Sequence, residues 1–121
     1  MTGKEQLLSF LARGDDPNSG GRQMPQHYGH KNLRIVSQSS PTGTQFLHAV
    51  GSAMSRKWEE TKDVVYVSSG EGSTSEGEFH EALNWSSREK LPVIFHIQDN
   101  EYAISVHISE QTSGSSVHSM V

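Results

Sequence analysis

The stretch Val64-Val65-Tyr66-Val67-Ser68-Ser69-Gly70-Glu71-Gly72-Ser73, answered by Pro92-Val93-Ile94-Phe95-His96-Ile97-Gln98-Asp99-Asn100, decides the fold. Each half is an apolar, β-branched run that ends in a polar loop. Runs of that kind, at 64–67 and 93–97, predict strands buried on both faces. Between them, residues 76–89 carry helical spacing and stop before Pro92. Strand, helix and strand in that order make a parallel βαβ unit. Right-handed crossovers set the loops that follow both strands on one sheet edge. Ligands in such sheets bind at that carboxyl edge.

Upstream, residues 44–60 predict a helix. Phe46, Leu47, Val50, Met54 and Trp58 recur near the helical period, and Ala49, Gly51 and Ala53 permit close packing. Residues 33–36 predict a short strand, which extends the alternation to strand–helix–strand–helix–strand. The expected fold is α/β, a partial parallel sheet flanked by helices. Residues 4–12 predict a first helix with Leu7, Leu8 and Leu11 on one face, stopped at Arg13-Gly14. The Gly- and Pro-rich stretch 14–29 is a loop long enough to be functional or disordered. Residues 100–108 read as irregular or as a short edge strand, and 109–121 are polar and small. Trp58 and Trp85 are expected as buried anchors, the latter at a subunit contact.

At 121 residues the chain is one domain at most. Its hydrophobic share of 32% is lean for a free-standing globule, so part of the buried surface is expected to face neighbours outside the chain. Acidic and basic side chains are well mixed at a net charge of -4, with no basic stripe, which argues against a nucleic-acid partner. There is no cysteine, which removes a disulfide framework and a thiolate zinc site. The N-terminus lacks the apolar run of a signal peptide, and no window approaches the ~20 apolar residues of a membrane span. The expectation is a soluble protein, not secreted, without membrane partners.

The chemistry concentrates in the two loops. Glu71 stands between Gly70 and Gly72 directly after a strand, and the glycines let backbone approach a ligand closely. A helix beginning at Glu76 would turn N–H groups toward an anion. Asn100 follows the next strand, so one crossover puts Glu71 and Asn100 side by side. A carboxylate, an amide oxygen and a backbone carbonyl form the hard oxygen set that magnesium takes together with phosphates. Singly, Gly-Glu-Gly and Asp-Asn are ordinary turns. Two nucleotide motifs fail here: Glu78-Phe79 stands where a phosphate-binding loop needs Lys-Ser/Thr, and Ser75 stands at the third glycine of the dinucleotide fingerprint. His27 and His30 offer two metal donors in a loop with no fixed acidic partner. His80 and His96 read as packed or surface residues. Asn84-Trp85-Ser86 matches a glycosylation sequon on a predicted helix and reads as chance.

Gly70-Glu71-Gly72 followed by Asp99-Asn100 resembles the thiamine-diphosphate motif. Ser75-Glu76-Gly77 and Tyr102-Ala103-Ile104-Ser105, with Gly21-Arg22-Gln23-Met24-Pro25, His27-Tyr28-Gly29, Ser39-Ser40-Pro41, Thr44-Gln45 and Leu91-Pro92-Val93-Ile94-Phe95, are similar to the alpha subunit of branched-chain 2-oxoacid dehydrogenases. The likeness runs from about residue 4 to 111.

The resemblance implies a thiamine-diphosphate-binding fold, one partial domain over 1–121, cut short at both ends. By position, Glu71 and Asn100 match side-chain magnesium ligands, and Tyr102 a ligand through its carbonyl. Gly70, Gly72 and Ser73 match the diphosphate lining, and Ser40 and Thr42 match positions near the aminopyrimidine ring. Ser39, Pro41, Thr44 and Gln45 match a potassium site. Asp99, Thr42 and Gln98 depart from the family's Asn, Leu and Arg, and neither the upstream arm that grips the diphosphate nor the downstream catalytic His falls within the chain. The implied activity is oxidative decarboxylation of a branched-chain 2-oxoacid with acyl transfer to lipoyl. The implied partners are a beta subunit or domain and the lipoyl-bearing acyltransferase component. The implied compartment is bacterial cytoplasm or mitochondrial matrix. Two rivals are a non-catalytic fragment that binds only cofactor or partner subunit, and an unrelated magnesium-phosphate enzyme.

Overall fold

The computed structural model describes residues 1–121, which divide into two compact units, Met1–Ser40 and Pro41–Val121.

The first unit opens with helix α1, Gly3–Phe10. Thr2 and Glu5 cap it reciprocally: the Thr2 hydroxyl accepts from the Glu5 N–H at 3.3 Å, and the Glu5 carboxylate accepts from the Thr2 N–H at 2.6 Å. The helix ends short of residue 12, because Ala12 turns the chain in the left-handed region at φ 49°. Leu7 and Leu11, predicted to share a face, are both exposed.

The loop that follows is organised around a buried Asp16. Its carboxylate accepts from the N–H groups of Asn18, Ser19 and Gly21 and from the Ser19 hydroxyl at 2.8–3.3 Å. Burial pushes the Asp16 carboxyl up, but these four donors outweigh it and hold the group below its ordinary value. The strand expected at 33–36 is absent. Residues Lys31–Leu33 form a 3-10 turn, Arg34 is left-handed at φ 54°, and a lone antiparallel bridge joins His30 to Ile35. The left-handed residue curls the chain back before a strand can extend.

The second unit holds the βαβ core. Helix α2 spans Thr44–Trp58, strand β1 Val65–Gly70, helix α3 Gly77–Glu89 and strand β2 Val93–Gln98. The strands pair in parallel, Val65 opposite Val93 through Gly70 opposite Gln98. An antiparallel hairpin follows, β3 Tyr102–Ala103 with β4 Val106–His107, then the short helix α4, Ile108–Gln111. The fold is α/β, with one βαβ unit and no third parallel strand.

The helices pack on one face of the sheet. Phe46, Ala49 and Val50 of α2 meet Phe79 and Ala82 of α3 and Val67 of β1, with Ile108 and Val117 closing the cluster. The Phe46 and Phe79 rings lie 5.0 Å apart and are fully buried. Each such side chain contributes about 1.5–3 kcal/mol by leaving water. The other sheet face carries Tyr66 and Ile94, both more than half exposed, with the Tyr66 hydroxyl against the ring of His96. Within these residues only one face of the expected doubly buried strands has a covering layer. The expected burial of Trp58 is corrected. It falls in the last turn of α2 and is 75% exposed, whereas Trp85 is half-buried with its indole N–H donated to Glu81 at 2.6 Å. His80 and His96 are both exposed.

Candidate functional site

Both strands end at one cleft. It measures about 670 Å³ and is lined by Thr42, by Gly70, Glu71, Gly72 and Ser73 after β1, and by Gln98, Asp99, Asn100, Tyr102, Ala103 and Ile104 after β2. The parallel register explains the meeting, since Gly70 and Gln98 are the last paired residues of the two strands.

Residues Glu71–Ser75 make a 3-10 turn before α3 begins. The sequence placed the helix start at Glu76, one residue from where α3 begins, and left the four residues before it unassigned. The structure fills that gap with the 3-10 turn, so Glu71, Gly72 and Ser73 line the cleft from the turn rather than from the first turn of α3. The turn is pinned from several sides. Thr74 donates its hydroxyl to the Glu71 carbonyl at 2.6 Å, and Gln111 of α4 reaches the same carbonyl at 3.3 Å and the Ser75 hydroxyl at 2.9 Å. Glu71 itself is 2% exposed, and its Oε1 is buried without a hydrogen-bond partner. A buried carboxylate oxygen left unpaired is costly in protein alone. A cation in the cleft would satisfy it.

The facing loop is shaped by its own side chains. Asp99 Oδ1 accepts from the Glu101 N–H at 2.8 Å, and Asn100 Oδ1 from the Tyr102 N–H at 3.0 Å. These Asx turns hold the Asn100 oxygen in place while leaving it a second lone pair. Gly72 is required by contact: a Cβ there would stand 2.9 Å from Ala103 Cβ of the hairpin. The hairpin turn is Ile104-Ser105, and Ile104 adopts φ 57° while fully exposed at the cleft mouth. Glycine is the usual occupant of a positive-φ first position in such a turn.

Gln45 and Thr44 sit at the start of α2, behind a Gly43 cap at φ 88°. Thr44 donates its hydroxyl to the Pro41 carbonyl at 2.6 Å. The Gln45 amide donates to Ser69 at 2.9 Å, and Ser69 donates to Ser73 at 2.6 Å. None of Pro41, Thr44 and Gln45 lines the cleft. Ser39 and Ser40 belong to the first unit, where Ser40 Oγ lies 2.7 Å from His27 Nε2. His30 turns elsewhere, with its Nε2 3.7 Å from Glu5 Oε1. No cluster of three or more His, Asp or Glu side chains able to hold a metal is present.

Thus the cleft gathers Thr42, Gly70, Glu71, Gly72, Ser73, Asn100 and Tyr102 of the expected site, and adds Ala103 and Ile104, whose only sequence signal was the Tyr-Ala-Ile-Ser motif. Sequence reasoning missed Ser69 and Gln111. Nothing in the order of residues marks a serine or glutamine as a brace for a turn distant in the chain.

Residues 1–120 match the family model described as dehydrogenase E1 component. The chain belongs to that family. It is 49% identical over 113 residues to the 2-oxoisovalerate dehydrogenase subunit alpha of Bacillus subtilis, covering 93% of this chain and 34% of the relative. It is 40% identical over 97 residues to the mitochondrial subunit alpha of Dictyostelium discoideum, covering 80% of this chain and 22% of the relative. Against the mitochondrial subunit alpha of Mus musculus it is 42% identical over 103 residues, covering 85% and 23%. The chain thus spans about a third of the length of the Bacillus relative and less of the other two. The relatives are dehydrogenase subunits, so the family is one of enzymes. No helix is long and apolar enough to cross a membrane.

Proposed function

We propose that this chain is the magnesium and thiamine-diphosphate binding part of the decarboxylating component of a 2-oxoacid dehydrogenase complex, acting on a branched-chain 2-oxoacid. The observation that carries it is the orphaned, buried Oε1 of Glu71 in a cleft shared with Asn100 and Tyr102. One carboxylate, one amide oxygen and the Tyr102 carbonyl form a hard-oxygen set that fits magnesium and leaves positions for phosphate oxygens and water. Gly70, Gly72 and Ser73 line the diphosphate end with little side-chain bulk. Thr42 lines the cleft on the ring side, and Ser40 is assigned there by its motif. Pro41, Thr44 and Gln45 offer oxygens to potassium at the entrance of α2, and Ser39 joins them by its motif alone.

When bound, thiamine diphosphate supplies the carbanion stabilisation that decarboxylation of a 2-oxoacid needs. The residues of this chain bind and orient. Glu71 and Asn100 fix the metal, and the pinned turn presents Ser73 to the diphosphate. The family match over 1–120 supports reading the chain as one partial domain. The relatives' names, subunit alpha, support a beta subunit as partner, and a lipoyl-bearing acyltransferase is the acceptor that the proposed reaction calls for. Relatives from a bacterium and from mitochondria are in keeping with the proposed setting, bacterial cytoplasm or mitochondrial matrix.

A second reading has its own observation. The cleft is open, with Tyr102 and Ile104 exposed at its mouth, so the chain by itself would bind cofactor or partner subunit without turnover. One experiment addresses both. Thiamine diphosphate is titrated calorimetrically into the chain and its Glu71→Ala variant, with and without magnesium, and decarboxylation of 3-methyl-2-oxobutanoate is followed with an artificial electron acceptor. Magnesium-dependent binding lost in Glu71→Ala supports the proposal, and unchanged affinity refutes it. Turnover by the chain alone refutes the second reading.

A further inference from the structure

We infer that Ser69 is a positioning residue that couples the monovalent-cation end of the site to the diphosphate end. The inference rests on the proposed function and deepens it. The relay is directional. An amide nitrogen only donates, so at 2.9 Å Gln45 Nε2 gives a proton to Ser69 Oγ. Ser69, its oxygen so engaged, donates its own proton to Ser73 Oγ at 2.6 Å. Ser73 lines the cleft, and with its oxygen accepting from Ser69 its hydroxyl proton is free to donate into the cleft. Three donors therefore run head to tail from α2, across β1, to the turn that faces the diphosphate. Chains of this kind polarise one another, so a stronger donor at one end makes a stronger donor at the other.

The same geometry settles the Gln45 amide. With the nitrogen on Ser69, the Oε1 oxygen is left to accept, and the Thr44 hydroxyl and Pro41 carbonyl stand at the same end of α2 as the proposed partners of a cation. A cation drawing on that oxygen makes the N–H groups of the same amide more acidic, which strengthens the whole relay. Occupancy at one end thus favours an anion at the other, and linkage makes the effect mutual. Ser69 touches neither ligand. Its place is mid-relay, half-buried, with its backbone paired to Ile97.

The probe is magnesium pyrophosphate, which isolates the diphosphate end from the rings. It is titrated calorimetrically into the chain in potassium chloride and in sodium chloride. The unmodified chain is expected to bind more tightly in potassium. In Ser69→Ala the affinity falls roughly twofold to fivefold, because the Ser73 hydroxyl keeps its bond to the diphosphate and loses only the polarisation that the relay lends it. The potassium-to-sodium ratio falls to about one, while the requirement for magnesium stays. Ser69→Thr keeps the hydroxyl on a residue suited to a strand and restores both affinity and ratio. A merely structural serine would not move the cation ratio. If Ser69→Ala keeps the ratio, or Ser69→Thr fails to restore it, the inference is overturned and the proposed function stands. If the unmodified chain shows no cation preference, the potassium reading falls and takes this inference with it. If pyrophosphate does not bind at all, the magnesium-diphosphate reading falls too.

Discussion

Replacing Glu71 by methionine should make the metal-free protein more stable and the metal-loaded protein impossible. The side chain is 2% exposed and its Oε1 has no partner. An unsatisfied buried polar atom costs about 1–3 kcal/mol, and more when charged. Methionine has similar length, bends to fill irregular space and carries no charge. Without magnesium, Glu71→Met should therefore gain about 1–3 kcal/mol. For a chain of this size that raises Tm by roughly 4–12 °C. Adding magnesium and thiamine diphosphate closes that gap or reverses it. At ligand concentrations a hundredfold above Kd the unmodified chain gains about 2.7 kcal/mol, whereas the variant gains nothing. Thermal unfolding followed by circular dichroism, with and without the two ligands, reads both differences. A variant less stable than the parent in the absence of metal would refute the argument that Oε1 is held at a cost. A variant that still gains Tm on adding both ligands would refute its role as a ligand.

Two further outcomes follow from the local geometry. Gly72→Ala places a Cβ 2.9 Å from Ala103 Cβ, so the hairpin must move; a loss of about 1–3 kcal/mol in urea unfolding is expected, with weaker binding of magnesium pyrophosphate. Asp16→Ala removes the acceptor of four hydrogen bonds and should cost about 1–3 kcal/mol. Because the folded Asp16 carboxyl is held below its ordinary value of 3.8, its contribution is complete above that value and disappears as pH falls through the lower folded one. Parent and variant should converge in stability in that acid range, as measured by denaturant midpoints across pH, and a gap that persists there would refute the assignment.

The βαβ core was legible because its signals are periodic. Apolar runs at 64–67 and 93–97 and the helical spacing of Phe46 and Val50 are fixed by which side chains face one core. The cleft was legible for a related reason: parallel strands bring their carboxyl ends together, so Glu71 and Asn100 could be paired from position alone. What stayed hidden depends on things no pattern carries. Tyr66 and Ile94 are as apolar as their inward neighbours, and the same run of letters serves a strand with one covered face or two. The bend at Arg34 turned a short apolar run into a turn and a single bridge, because local backbone choice outweighed a weak strand preference. Gln45 reaches Ser69, and Gln111 reaches Glu71 and Ser75, by polar contacts between residues far apart in the chain, and such contacts leave no trace in spacing.

Ile104 holds a left-handed backbone at the tip of the hairpin, wholly in solvent, where a β-branched side chain is at its least comfortable. Selection acting on this position can therefore be read in two screens. A library screened only for heat resistance should drift toward Gly or Asn at 104, which relax the turn and lose nothing from the core. A library screened for binding of magnesium pyrophosphate presses the other way only if the side chain lining the cleft mouth serves the ligand site. The residue recovered at 104 under each screen thus separates the demands of the turn from those of the cleft.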